Sequence, residues 1–128
     1  METRKLNVFI SQPMSNKSKD EIFETKERII KKVKDYFQTD DLKFMKSYFE
    51  TKHSKKLKNE SLYFLSKSLK VLSKSDVIIM ASGWENSRGC KIEYECARLY
   101  DIMVIYEDTE YITRKNLLEV DHDSIAGN

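Results

Sequence analysis

Short apolar runs alternate with amphipathic helical patterns along this 128-residue chain, and this alternation constrains the fold more than any other feature. The apolar runs are rich in β-branched or aromatic residues, which is typical of strands. They lie at 6–11, 42–49, 77–80 and 102–106. The helical patterns repeat apolar residues at intervals of three and four. They cover 18–37, 62–73 and 88–100.

The order β-α-β-α-β-α-β predicts an α/β fold with a mainly parallel sheet of four to five strands, covered by helices on both faces. Right-handed crossovers place the loops after the first and third strands, 11–17 and 81–87, at the carboxyl edge, where open α/β folds bind ligands. We expect one domain over residues 1–128. The polar stretch 50–59 predicts a surface loop or a mobile lid, and the tail beyond Glu107 predicts one short helical turn.

Composition excludes several classes of partner. The 23 basic and 21 acidic residues give a net charge of +2, and the basic stretch 52–58 lacks interleaved aromatic residues, so no nucleic-acid partner is expected. The longest apolar run, 77–81, is far shorter than the roughly 20 residues that span a bilayer, and the N-terminus has no signal-peptide pattern. We therefore expect no membrane partner and a cytoplasmic location.

The cysteine and histidine spacing argues against a disulfide or a metal site. Cys90 and Cys96 would point to different faces of one helix, and the two histidines lack the spacing of zinc ligands. The two loops at the carboxyl edge also lack the glycine-rich patterns of dinucleotide- and phosphate-binding folds. We expect no metal and no organic cofactor.

The polar loop before the third helix has the features of an anion site. Ser87 is a plausible N-cap, Arg88 lies beside it, and the free N–H groups of a helix N-terminus attract phosphate. A capped helix with a solvated arginine is the alternative interpretation.

Two glutamates of the third helix differ in their neighbours. Glu93 adjoins the apolar stripe and shares a row with the small residues Gly89 and Ala97, which leave room beside its carboxylate. Glu95 lies three residues before Arg98, a pattern typical of a solvated helix face. Glu93 is therefore the candidate for the cleft, and a solvated glutamate is the alternative.

Three segments carry a resemblance to a known family. The first is Val8-Phe9-Ile10-Ser11-Gln12-Pro13-Met14, which resembles the opening strand and loop of the nucleoside 2-deoxyribosyltransferase superfamily. The second is Gly89-x-x-x-Glu93-x-x-x-Ala97, which is similar to the catalytic helix motif of that superfamily. The third covers 73–90 and resembles an uncharacterised branch that is often encoded by phages or prophages. The likeness spans about residues 6 to 106.

The resemblance implies a flavodoxin-like three-layer sandwich and cleavage or transfer of the N-glycosidic bond of a nucleoside or nucleoside 5′-monophosphate. It gives Glu93 the place of the nucleophile that forms a glycosyl-enzyme ester, with a base or water as the acceptor. It also implies a homodimer or a higher homo-oligomer.

The same resemblance implies a set of substrate-binding residues. In the first loop they line the base and sugar pocket, and in the second loop Ser87 takes the place of a phosphate-contacting serine. Trp84 could stack on a base or pack on its own domain. The substrate-binding set is Ser11, Gln12, Pro13, Met14, Gly83, Trp84, Asn86, Ser87, Arg88 and Gly89.

Three positions depart from the transferase pattern. Glu95, Cys90 and Ser87 stand where transferases have a glycine, a small hydroxyl residue and an acidic residue. These departures leave open hydrolysis and a non-catalytic nucleotide-binding module. A protein-interaction domain that uses the charged helices is a third possibility.

Overall fold

The structure is a computed structural model that describes residues 5–50 and 57–108. Within these ranges, strands and helices alternate as the sequence predicts. The strands are β1 (Leu6–Ser11), β2 (Leu42–Phe44), β3 (Val77–Met80) and β4 (Met103–Tyr106). The helices are α1 (Lys19–Phe37), α2 (Glu60–Leu72) and α3 (Arg88–Leu99), with a short 3₁₀ turn at Trp84–Asn86 before α3.

The four described strands form one parallel sheet in the order β2-β1-β3-β4. Val8 lies between Phe44 of β2 and Val77 of β3, so β1 is paired on both sides. The chain reverses its direction of travel across the sheet between β1 and β3, and such a switch point opens a crevice at the carboxyl edge. The predicted flavodoxin-like α/β sandwich is confirmed.

Two apolar clusters lie on the opposite faces of the sheet. Val8 and Ile10 pack with Ile29 of α1, whereas Phe9 packs with Leu72 of α2 and Ala97 of α3. This alternation follows from the two-residue period of a strand. It assigns α1 to one face of the sheet and both α2 and α3 to the other.

Side-chain caps set where the helices begin. The Ser18 hydroxyl accepts the Glu21 N–H, and the Glu21 carboxylate accepts the Ser18 N–H, which is a complete capping box at the start of α1. Asn59 accepts the Leu62 N–H before α2, and Ser87 caps α3 as predicted. These local bonds explain why the predicted and observed helix starts agree closely.

The prediction for the second strand was wrong in length. β2 ends at Phe44 instead of residue 49, because the chain then leaves the sheet and packs against α1. The Tyr48 ring meets the Phe23 ring edge to face, with 5.6 Å between centroids. Tyr48, one of the aromatic residues that favoured a strand, therefore packs on α1.

Two further predictions lie outside the described residues in part or in full. The predicted loop over 50–59 includes residues 51–56, and the helical turn was predicted for the tail, of which 109–128 are not described. Within 5–50 and 57–108, no helix combines the length and apolar character needed to cross a bilayer.

A buried carboxylate ties β4 to α1. The Glu107 side chain is 3% exposed and accepts hydrogen bonds from Arg28 at 2.7 and 3.1 Å and from Lys32 at 3.1 Å. It also accepts the Ser82 N–H at 2.9 Å, so it anchors the loop after β3. Burial raises the pKa of Glu107, but the bonds from Arg28, Ser82 and Lys32 outweigh it and hold this pKa at about 2.

We expect Glu107→Gln to lower the free energy of unfolding by about 2 kcal/mol at pH 7, less than the pKa shift alone implies because Arg28 and Lys32 are half exposed. The contribution of a lowered carboxyl pKa is present above the ordinary value of 4.5 and is lost as the pH falls toward 2. Urea unfolding at pH 7 and pH 3 should therefore give a smaller difference at pH 3. A control, Glu27→Gln on the exposed side of α1, should change the pH 7 value by less than about 0.5 kcal/mol.

Candidate functional site

The predicted juxtaposition of the first loop with Glu93 is present. Ser11 is the last residue of β1, at the switch point, and its hydroxyl donates a hydrogen bond of 2.6 Å to Oε1 of Glu93 on α3. Ser11 is 1% exposed and Glu93 is 7% exposed. Ser87 caps the N-terminus of α3, six residues before Glu93, and Glu93 lies on the buried side of this helix with Cys90 and Ala97.

A second hydroxyl reaches the same carboxyl group from α2. Burial raises the pKa of Glu93 to about 7, while hydrogen bonds with Ser11 and Ser68 act in the opposite direction. Among the residues the structure describes, no cation forms an ion pair with Glu93. Burial therefore dominates, and Glu93 is present in both protonation states near neutral pH.

Sequence reasoning missed Ser68 and the neighbourhood of Cys90. Cys90 lies one turn before Glu93 and is hydrogen-bonded to Ser11 and Ser87, and burial raises the pKa of its thiol. Its position three residues before Glu93 could have predicted that the two side chains are neighbours, because residues three apart share a helix face. Ser68 adjoins the leucine stripe of α2, and nothing in that stripe marked it as a partner of Glu93.

The expected contrast between the two glutamates is present, with Glu93 buried and Glu95 exposed, while a cleft at Glu93 stays a prediction. Glu95 lies on the exposed side of α3 and pairs with Arg98, one turn later, which lowers the pKa of Glu95. Glu93 faces the sheet.

The loops after β1 and β3 adjoin, as predicted. Gly83 has a φ of +85°, in the left-handed region, and a side chain there would meet the Pro13 ring at 3.9 Å. Trp84 packs on its own domain, with 4.7 Å between its ring centroid and that of Tyr94. Of the remaining predicted binding residues, Met14 and Gly89 are half-buried, and Asn86 and Arg88 are exposed.

Ser87 lies at the N-terminus of α3, where the sequence predicts a phosphate contact. Its Oγ accepts the Cys90 N–H at 3.3 Å, so the residue serves as a helix cap. Its hydroxyl also contacts the Cys90 thiol, and Arg88 beside it is exposed.

Gln12 is turned away from the other members of the predicted set. Its Nε2 donates a 3.0 Å hydrogen bond to the carbonyl oxygen of Ile22 on α1, on the sheet face opposite Glu93. Asp76, at the amino end of β3, accepts the Asn7 N–H at 2.8 Å and so joins β3 to β1. Within the described ranges, no cluster of three potential metal ligands occurs.

The raised pKa of Glu93 predicts a distinct pH dependence of stability. Because the folded-state pKa of about 7 lies above the ordinary value of 4.5, Glu93 lowers the free energy of unfolding by about 3 kcal/mol as the pH rises through this interval. Glu93→Gln should remove that loss, so its stability relative to wild type should increase between pH 4.5 and pH 8 in urea unfolding. The matched control is Glu95→Gln on the exposed side of α3, and an equal gain in that variant would contradict the assignment.

Comparison with known proteins places this architecture in a family. No curated protein and no solved structure matches the chain. A family model described as a domain of unknown function, DUF4406, matches residues 6–106, which run from the first residue of β1 to the last residue of β4. Since the match covers every strand and helix described above, the chain belongs to the DUF4406 family.

Proposed function

We propose that this protein cleaves or transfers the N-glycosidic bond of a nucleoside or nucleoside 5′-monophosphate, with Glu93 as the nucleophile. The observation that carries the proposal is the buried Glu93 carboxyl group, held by the Ser11 hydroxyl at the switch point of the sheet. The resemblance of this strand and helix to the nucleoside 2-deoxyribosyltransferase superfamily supports it. The departures at Cys90, Glu95 and Ser87 favour hydrolysis over base exchange.

In the proposed reaction, a carboxylate oxygen of Glu93 attacks the anomeric carbon of the sugar. The C–N bond breaks, its electron pair leaves with the base, and a glycosyl ester forms on the glutamate. Water or a second base then attacks the same carbon, regenerates the carboxylate and loses a proton, which balances the proton that the departed base takes up from solvent. Two displacements replace one difficult step, which is the advantage of a retaining route.

The surrounding residues have separate parts in this scheme. Ser11 donates to Oε1 and restricts rotation of the carboxyl group, which keeps Glu93 in one orientation. A 5′-phosphate would lie at the N-terminus of α3, beside Ser87 and Arg88, where the helix dipole favours an anion. The sugar then lies between the two sites.

The resemblance also implies a homo-oligomer. Large apolar side chains at the end of α3 and on the edge strand β4 are exposed, and an interface would cover them. They are Leu99, Tyr100 and Met103.

The second candidate function is a nucleotide-binding module without turnover. The burial of Glu93 and its bonds to serines on β1 and α2 favour it, because these bonds also join α3 to the rest of the fold. Free base released from a panel of nucleosides and nucleoside monophosphates separates the two functions.

We expect Glu93→Gln to lower base release by at least about 10³-fold while ligand affinity changes little, because the amide keeps the shape and loses the attacking charge. In wild type, kcat/KM should rise with pH through about 7, as Glu93 loses its proton. Glu95→Gln should retain wild-type turnover. Ligand binding by wild type without release of base from any substrate would contradict the catalytic proposal.

Two variants of Ser87 test the phosphate position without removing the helix cap. Asparagine and aspartate both cap helices well, but aspartate adds a charge that repels phosphate. Ser87→Asp should therefore lower the affinity for nucleoside monophosphates by about tenfold or more and leave the affinity for nucleosides nearly unchanged. Ser87→Asn should change both affinities less. Calorimetric titration gives the four affinities. Equal losses for monophosphates and nucleosides in Ser87→Asp would place the phosphate elsewhere.

A further inference from the structure

A cavity lies on the α1 face of the sheet, opposite the face that carries Glu93. Its volume is about 350 Å³, which is within the range of small-molecule sites. The N-terminal half of α1 and the segment after β2 form its walls. The lining residues are Gln12, Lys19, Ile22, Phe23, Lys26, Lys46, Ser47, Tyr48 and Glu50.

The charges around this cavity are unbalanced. Three lysines and one glutamate line it, and the glutamate is already engaged: Glu50 lies 3.3 Å from the Lys19 ammonium group and is hydrogen-bonded to Tyr48. Lys26 is half-buried and forms no ion pair with any residue in 5–50 or 57–108. Lys46 contacts the face of Phe49, and it shares the charge of Glu50 with Lys19 without forming an ion pair in the described part of the chain. The walls therefore carry three positive charges against one negative charge.

The inner wall of the cavity contains an unsatisfied acceptor. Gln12 is 5% exposed, and its Nε2 is bonded to the Ile22 carbonyl oxygen. Its Oε1 is buried and has no hydrogen-bond partner within the described part of the chain. An unpaired buried acceptor costs free energy, and a hydroxyl or N–H donor would remove that cost. A single water would satisfy Gln12 but would leave the excess positive charge of the walls unbalanced.

We propose that this cavity is a second binding site, for a small organic anion that also carries a hydroxyl or N–H donor. The donor reaches Gln12, the phosphate or carboxylate group meets Lys26 and Lys46, and the carbon skeleton packs on Ile22 and the edge of Phe23. Both anionic groups bind ammonium in the same way, so their shared chemistry defines the ligand class.

This site is separate from the proposed glycosidic centre but adjoins it through the backbone. Ser11 and Gln12 are consecutive, and their side chains point to opposite faces of the sheet, one to Glu93 and the other to Ile22. A ligand that shifts Gln12 would therefore move the residue next to the one that orients Glu93. The proposal does not depend on the glycosidic reaction.

Three small probes test the ligand class by calorimetric titration. Glycerol 3-phosphate and glycerate combine an anion with hydroxyl groups, and glycerol lacks the charge. We expect at least one of the two anions to bind, more weakly as salt is raised, and glycerol not to bind. The anion that binds identifies phosphate or carboxylate as the preferred group. Failure of both anions at millimolar concentration, or equal binding of glycerol, would overturn the proposal.

Matched variants locate the bound probe. Lys26→Met keeps most of the apolar stem and should weaken the probe by about tenfold or more, whereas Lys31→Met, on the exposed surface of the same helix, should not. Gln12→Met should also weaken it, with circular dichroism confirming the fold. If Ser87→Asp weakens binding of the probe and Lys26→Met does not, the probe binds at the N-terminus of α3. That result would overturn the second site and leave the glycosidic proposal standing. Equal losses in Lys26→Met and Lys31→Met would also overturn it, because general surface charge would then explain the binding.

Discussion

The pairing of β1 on both sides determines where every candidate site lies. β1 lies between β2 and β3. The connections that follow β1 and β3 therefore cover opposite faces of the sheet, and the switch point falls at the carboxyl ends of these two strands. Polar residues at this end are buried by the flanking layers instead of being solvated. Ser11 and Gln12 are both buried there, and each finds a partner on a different helix. Two consecutive residues therefore lie in chemically different environments on opposite faces of the sheet.

Two buried glutamates illustrate how the environment sets the behaviour of a carboxyl group. Glu107 accepts bonds from Arg28, Lys32 and a backbone N–H, and its pKa is about 2. Glu93 accepts bonds from neutral hydroxyl groups, and burial raises its pKa to about 7. The difference follows from nearby positive charge, since a cation stabilises the carboxylate and burial alone destabilises it. Glu107 therefore suits a structural anchor, and Glu93 suits a group that changes its protonation state near neutral pH.

A carboxyl group of this kind fits both functions proposed above. As a nucleophile, Glu93 must be ionised when the sugar binds, and a desolvated carboxylate that keeps few hydrogen bonds is more reactive than a hydrated one. As part of a binding module, the same group would donate or accept a hydrogen bond according to pH. The substrate panel and the pH profile separate these two functions, because release of free base requires Glu93 to act as a nucleophile.

Much of the fold was determined by local features of the sequence. Strand and helix periods, the capping box at Ser18 and Glu21, and the Ser87 cap are set by residues within a few positions of each other, so they are readable from the chain alone. The same periodicity separated Glu93 from Glu95. Tertiary packing decided the length of β2, the role of Glu107 and the surroundings of Gln12. β2 ends early because Tyr48 packs on α1, and the sequence did not mark Glu107 as an anchor because Arg28 lies 79 residues away. Gln12 lines a cavity on the face opposite Glu93 because adjacent residues of an extended segment face opposite layers, and which helix covers each layer depends on the crossovers of the whole chain.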